Sequence, residues 1–255
     1  MDIQLRDRFI ESWEQYFPGA ELPITFYYTH DPGKVPFAKK PSGHHCIIAD
    51  FAKVRKGESL AFNSTNIGCG GGLRYAGYKT EPGPNFDYFL SCGKEGVVEG
   101  ERYKKNPQLV RQMMNGFPEI HANGHSMVFK RWDKLTEEDN PEVVISFARP
   151  DVLSGLFMLA NYDRAENDNV ISPMGSGCSQ TMLYPYLEKD KENPKAYLGM
   201  FDPSARPFVD KNILTFATPM KRFEEMINNM EESFLITSTW KTLSKRIENA
   251  KKQDE

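Results

Sequence analysis

The chain has 255 residues, 39% hydrophobic and 26% charged, and 32 Lys and Arg set against 35 Asp and Glu leave a net charge of −3. That length buries a sizeable core, as one large domain or two small ones. Basic residues are scattered, with only the stretch from Lys241 to Lys251 noticeably basic, so there is no electrostatic case for nucleic acid or an anionic membrane; nor is any window apolar for long enough to span a bilayer.

Aromatic residues, 12% of the chain, are not interleaved with basic ones, which argues against a base-stacking surface. The first residues, Met1 to Arg8, lack the apolar run of a secretion signal. The four cysteines, Cys46, Cys69, Cys92 and Cys178, are therefore expected as reduced thiols of a cytoplasmic protein.

Leu5, Phe9, Trp13 and Tyr16 share one helical stripe that ends at Pro18-Gly19, which predicts an amphipathic helix over 2–17. The β-branched and aromatic run Ile24 to Tyr28 predicts a strand. A loop with His30, Pro36, Pro41 and Gly43 follows, then a short helix over 46–54 and a strand over 59–63 leading into Gly68-Cys69-Gly70-Gly71-Gly72. The acidic turn Thr136 to Pro141 comes next as a boundary. Beyond it a similar order returns: a strand over 143–147, an apolar helix over 152–162, a strand over 169–172, and the turn Gly175-Ser176-Gly177-Cys178-Ser179-Gln180.

Further pairings extend the parallel. Phe89-Leu90-Ser91-Cys92 matches Tyr197-Leu198-Gly199-Met200, and Asn106-Pro107 matches Thr218-Pro219 as helix starts before the Met-rich helices 109–115 and 220–230. Self-similarity of this kind predicts an α+β fold of two pseudo-equivalent α/β halves arising by internal duplication, at about 20–135 and 136–237 within one compact domain 1–255. The N-terminal helix and a C-terminal helix from near Ser238, carrying Trp240, Leu243 and Ile247 on one face, frame the halves.

The turn Gly-Cys-Gly-Gly-Gly-Leu-Arg-Tyr-Ala-Gly at 68–77, the Ser-Gly-Cys turn at 176–178 and the closing Thr-Pro-Met…Glu-Glu-Met segment at 218–226 together resemble the ArCR proteins, a family of archaea and bacteria with a domain of unknown function. The resemblance covers roughly residues 20–240. It implies a stand-alone cytosolic globular protein and carries no activity to transfer.

Three kinds of chemistry fit the two Gly-Cys turns. In a duplicated fold Cys69 and Cys178 take equivalent places facing one site, and Cys92 and Met200 form a second pair. Cys69, Cys92 and Cys178 then become candidate ligands of an iron–sulfur cluster or a soft metal, with an open iron or a non-cysteine fourth ligand, although none forms a Cys-x-x-Cys pair. Alternatively, free backbone amides at a helix start hold an anionic group of a small ligand, through Gly70, Gly71, Gly72 and Arg74 in one half and Gly177, Ser179 and Gln180 in the other. Neither turn matches a dinucleotide or P-loop pattern.

The third possibility is a cysteine nucleophile acting on a small metabolite, its thiol biased toward thiolate by the helix start. It needs a base, and His44-His45-Cys46 and His121…His125 are the nearest histidine groupings. A structural or interaction protein without a cofactor is the bland alternative, in which glycine-flanked cysteines fill tight contacts and Met200 packs the core. Cys46 has no counterpart in the other half and reads as a buried residue.

Overall fold

In chain order, the computed structural model, which describes residues 1–251, begins with α1 (Ile3–Tyr16), β1 (Ile24–Thr29), α2 (Ile47–Arg55), β2 (Leu60–Phe62) and α3 (Gly70–Tyr75). Two helices at the periphery, α4 (Phe86–Phe89) and α5 (Pro107–Asn115), precede β3 (Ser126–Arg131) and β4 (Val143–Ala148). Then come α6 (Pro150–Leu159), β5 (Val170–Ile171), a π-helical turn over Ser179–Leu183 continuing into α7 (Tyr184–Leu187), β6 (Ala196–Gly199), β7 (Leu214–Pro219), α8 (Met220–Asn229) and α9 (Ser238–Lys251).

The strands form one seven-stranded sheet in the order β2-β3-β1-β4-β7-β6-β5, antiparallel except for the β5–β6 pair at one edge. Its centre is the β1–β4 pairing, with Ile24 opposite Ile145 and Phe26 opposite Val143. Every residue of β4 is buried, as expected of a strand covered on both faces.

Alternation along β4 divides the interior in two. Val143, Ile145 and Phe147 enter a core shared with α2, α3 and α7, while Val144 and Ala148 enter a second core under α1, α6 and α8. The molecule is thus helices on both faces of a mixed sheet. Trp240 of α9 packs on the second layer, edge-on to Phe17 and Phe234. Among the described residues no helix is long and apolar enough to cross a membrane.

The local signals behind the elements are visible. The Asp2 carboxylate caps α1 by accepting from the Gln4 and Leu5 amides, and the Asn106 side-chain Oδ1 caps α5 by accepting from the Leu109 amide. Pro107 and Pro150 occupy first-turn positions, where the missing N–H costs nothing.

The mixed α/β class stands, but a duplication is not established. Strand–helix–strand–turn order does recur, as β1–α2–β2–α3 and β4–α6–β5–π turn. A pseudo-twofold relating antiparallel neighbours β1 and β4 must run perpendicular to the sheet and keep equivalent helices on one face. Instead α2 lies in one core and α6 in the other. The cause is connection length: β4 passes directly into α6, whereas the long loop after β1 carries the chain to the opposite face before α2 begins. Residues 89–92, matched in sequence to the strand β6, are the end of α4 and a turn. The strands β3 and β7 are additional to those the sequence predicts.

Candidate functional site

Three helical segments start on the same side of the sheet, and each has a cysteine at its N-cap or within its first turn. Cys46 is the N-cap of α2, Cys69 the N-cap of α3 and Cys178 the residue before the π-helical turn. Cys69 and Cys178 are buried in the same core and Cys46 packs partly exposed against it. All four cysteines are free thiols.

Close packing between backbone segments draws the three together. The His45 amide donates to the Gly68 carbonyl at 3.3 Å, joining the residue before Cys46 to the residue before Cys69. Glycine is required there, because a Cβ on Gly68 would lie 2.5 Å from Pro41 Cγ and 2.9 Å from His45 Cβ. On the other side, a Cβ on Gly72 would fall 2.8 Å from Cys69 Sγ and 3.4 Å from Ile47 Cγ2, and one on Gly177 would fall 3.6 Å from Ile48 Cγ1. The first turn of α2 therefore touches both Gly-Cys turns.

Each sulfur meets polar hydrogen. The Gly72 amide donates to Cys69 Sγ at 3.2 Å and the Ser176 hydroxyl to Cys178 Sγ at 3.6 Å. The helix-start amides of Ile48 and Ala49 stabilise charge on Cys46. Burial is the larger influence: it pushes the Cys46 and Cys178 thiols above the ordinary thiol range, and Cys69 is the next contributor for Cys178. Asp202 adds to the rise of both. The expected thiolate bias of a helix start is thus reversed at Cys178, because desolvation of a buried charge outweighs a dipole at the end of a short helical turn. Tyr75, beside Ser176 and Cys178, is likewise raised by burial, to about 12.

Cys92 is elsewhere. It is exposed on the 92–102 loop, its thiol donating to the Gly93 carbonyl at 3.4 Å, beside an open cleft of about 580 Å³ walled by that single loop. The thiol group is Cys46, Cys69 and Cys178 rather than Cys69, Cys92 and Cys178. The sequence did carry a signal for Cys46, since it began a predicted helix as the other two did. Among the described residues no three His, Cys, Asp or Glu side chains are arranged to hold a single metal ion.

The residues expected to bind an anion are largely engaged within the chain. The Gly177 amide donates to Asp202 Oδ2 at 3.1 Å and the Ser179 amide to Ser176 Oγ at 3.2 Å. Gln180 is buried, donating through Nε2 to the Pro173 carbonyl at 2.9 Å and accepting the Met200 amide at 2.9 Å. The Arg74 guanidinium donates to the Thr80 carbonyl. Gly70 and Gly71 are exposed on the first turn of α3.

Among the histidines, His45 Nε2 pairs with the buried carboxylate of Asp50 at 2.9 Å, and Lys53 reaches the same carboxylate at 3.1 Å. His125 lies edge-on to His30, with ring centres 4.8 Å apart.

Fold and site together define a sheet protein, layered with helices on both faces, that gathers three thiols at helix starts on one of them. The chain belongs to the uncharacterised ArCR family, a domain of unknown function, whose family model matches residues 20–229. No curated protein and no solved structure matches it.

Proposed function

We propose that this chain is a cytosolic binding protein for a soft-metal centre, an iron–sulfur cluster held by the thiolates of Cys46, Cys69 and Cys178, with a redox role. The observation that carries the reading is the gathering of three of the four thiols, two buried and one half-buried, from three separate helix starts around one core, each sulfur facing amide or hydroxyl hydrogen. Hydrogen bonds to sulfur stabilise the negative charge of a thiolate-bound cluster and tune its potential.

Among the described residues no three His, Cys, Asp or Glu side chains are arranged to hold one metal ion, which disfavours a lone ion as the centre. A tetrahedral ion with bonds of about 2.3 Å needs its sulfurs within about 4 Å of one another. A cluster spreads its thiolates around several irons, so it does not require the three thiols to close on one ion position. Loading releases the thiol protons, so uptake strengthens as pH rises, the more so for thiols raised by burial. The same rise disfavours a nucleophilic role, because the thiolate is the attacking species.

Anaerobic reconstitution of the full chain with ferrous iron and sulfide tests the reading. Broad visible absorption with stoichiometric iron and sulfide is expected, lost in Cys46→Ser, Cys69→Ser and Cys178→Ser and retained in Cys92→Ser. A colourless, iron-free product overturns it, as does a centre that survives Cys46→Ser and disappears in Cys92→Ser.

A further inference from the structure

Cys69 and Cys178 are 7% and 6% exposed, so whatever reaches their sulfurs does so through an opening of the fold. We propose that residues 79–119 are a lid, latched by Phe117, whose opening gives access to the Cys178 thiol. The inference concerns access alone and stands whether or not the thiols hold a centre.

The segment is an excursion of the chain between α3 and β3. It leaves past Gly77 and returns at Ala122, whose amide donates to the Gly77 carbonyl at 3.0 Å. This neck is tight, since Gly77 has a left-handed φ of 72° and a Cβ on it would lie 2.5 Å from the Ala122 nitrogen. Between 79 and 119 just Ser91 and Val110 are buried, and Val110 joins neither core.

What holds the excursion to the rest of the molecule is slight. The Arg74 guanidinium donates to the Thr80 carbonyl at the neck. Beyond it, among the described residues, no hydrogen bond or ion pair joins 81–119 to the remainder of the chain. Phe117 alone in the excursion packs against a core, the one that contains Cys69 and Cys178, with its ring 5.5 Å from that of Tyr75 and 5.6 Å from that of Tyr184. A cavity of about 10 Å³, lined by Tyr75 and Leu183 and by Pro118 and Glu119, marks the seam.

Within itself the excursion is well tied. Asp87 of α4 and Arg111 of α5 pair at 2.7 Å, and the amides of Glu101, Arg102 and Lys104 donate to the Phe89, Ser91 and Leu90 carbonyls at the end of α4. Local opening costs least where few apolar contacts and hydrogen bonds break, so this body swings as a unit about its neck.

The latch leads to the thiol. Phe117 covers Tyr75, Tyr75 lies beside Ser176 and Cys178, and the Ser176 hydroxyl donates to Cys178 Sγ at 3.6 Å. Tyr184 flanks the same turn, 3.5 Å from where a Cβ on Gly175 would stand. Withdrawing Phe117 uncovers both aromatic walls of the 175–178 turn.

Alkylation of the metal-free full chain by iodoacetamide at fixed pH, followed thiol by thiol by peptide mass spectrometry, tests the lid. In wild type Cys92 is expected to label fast. Cys178 is expected to label slowly, at a rate that rises with urea much less steeply than global unfolding followed by circular dichroism. Phe117→Ala is expected to speed Cys178 labelling about tenfold through the loss of two ring contacts, with Cys92 unchanged and Phe117→Tyr close to wild type. A Cys178 rate unaltered in Phe117→Ala, or raised in proportion to that variant's loss of global stability, overturns the lid. If Phe117→Ala does not fold, the wild-type urea dependence decides, and a slope equal to that of global unfolding overturns it.

Discussion

Cys46 and Cys178 differ in exposure and in partners, yet burial moves both thiols in the same direction, above their ordinary value of 9.0. The fold thus favours the protonated thiol over the thiolate. Stability from this source is fully present below the unfolded thiol pKa and is lost as pH rises beyond it. Tyr75, raised to about 12 by burial, acts in the same sense at still higher pH. The urea midpoint of the metal-free chain is therefore expected to fall between about pH 8 and pH 11, and less steeply in Cys178→Ala. Equal slopes in the two proteins would contradict the burial argument. Residue types at this scale were legible in the chain, and so was the attraction of the two Gly-Cys turns. The choice of third cysteine was not, because Cys46 reaches the turns through the contact of its loop with Gly68, which no local pattern encodes.

Helices and strands at the next scale followed their local signals where those were strong. The predicted helices over 46–54 and 152–162 correspond to Ile47–Arg55 and Pro150–Leu159, and the predicted strand over 143–147 to Val143–Ala148. Phe89 to Cys92, matched by sequence to Tyr197 to Met200, form the end of α4 and a turn, whereas Tyr197 to Gly199 lie in β6. How elements meet is set by individual small residues. Gly155 of α6 lies against Phe17, and a Cβ there would stand 2.4 Å from its ring and 3.2 Å from Trp240. Gly155→Ala gains about 1 kcal/mol of helix propensity. Phe17 cannot yield readily, packed as it is on Trp13 with ring centres 4.8 Å apart. Overpacking of about 1–3 kcal/mol outweighs the gain, so a lower thermal midpoint is expected in a calorimetric comparison. A raised midpoint would mean that α1 and α6 separate at little cost.

Across the whole molecule, one buried cation ties the second helical layer together. Arg222 of α8, fully buried, donates to the Ala160 carbonyl at the end of α6 and bonds the carboxylates of Asp163 and Glu225. Its guanidinium holds the Asp163 carboxyl down at about 2. A depressed carboxyl contributes stability that is present above the unfolded value of 3.8 and is lost as pH falls toward 2. Asp163 is partly exposed, so solvent screening keeps the contribution modest. The acid-induced drop in urea midpoint is expected to be smaller in Asp163→Asn than in wild type, and Arg222→Met is expected to cost about 1–3 kcal/mol at neutral pH by removing the donor to the buried Ala160 carbonyl. An unchanged acid response in Asp163→Asn would place the acid sensitivity elsewhere.

By itself the sequence determined the character of most segments and the importance of the Gly-Cys turns, because apolar period, caps and glycine tolerance act over a few neighbouring residues. It suggested equivalence between the halves for the same reason, since local order repeats. Only the tertiary structure decided that α2 and α6 lie on opposite faces, that Cys46 replaces Cys92 beside Cys69 and Cys178, and that Met200 is held in a left-handed conformation against Gly177. Those outcomes depend on contacts between residues far apart in the chain, where close approach at Gly68, Gly72 and Gly177 sets what can meet.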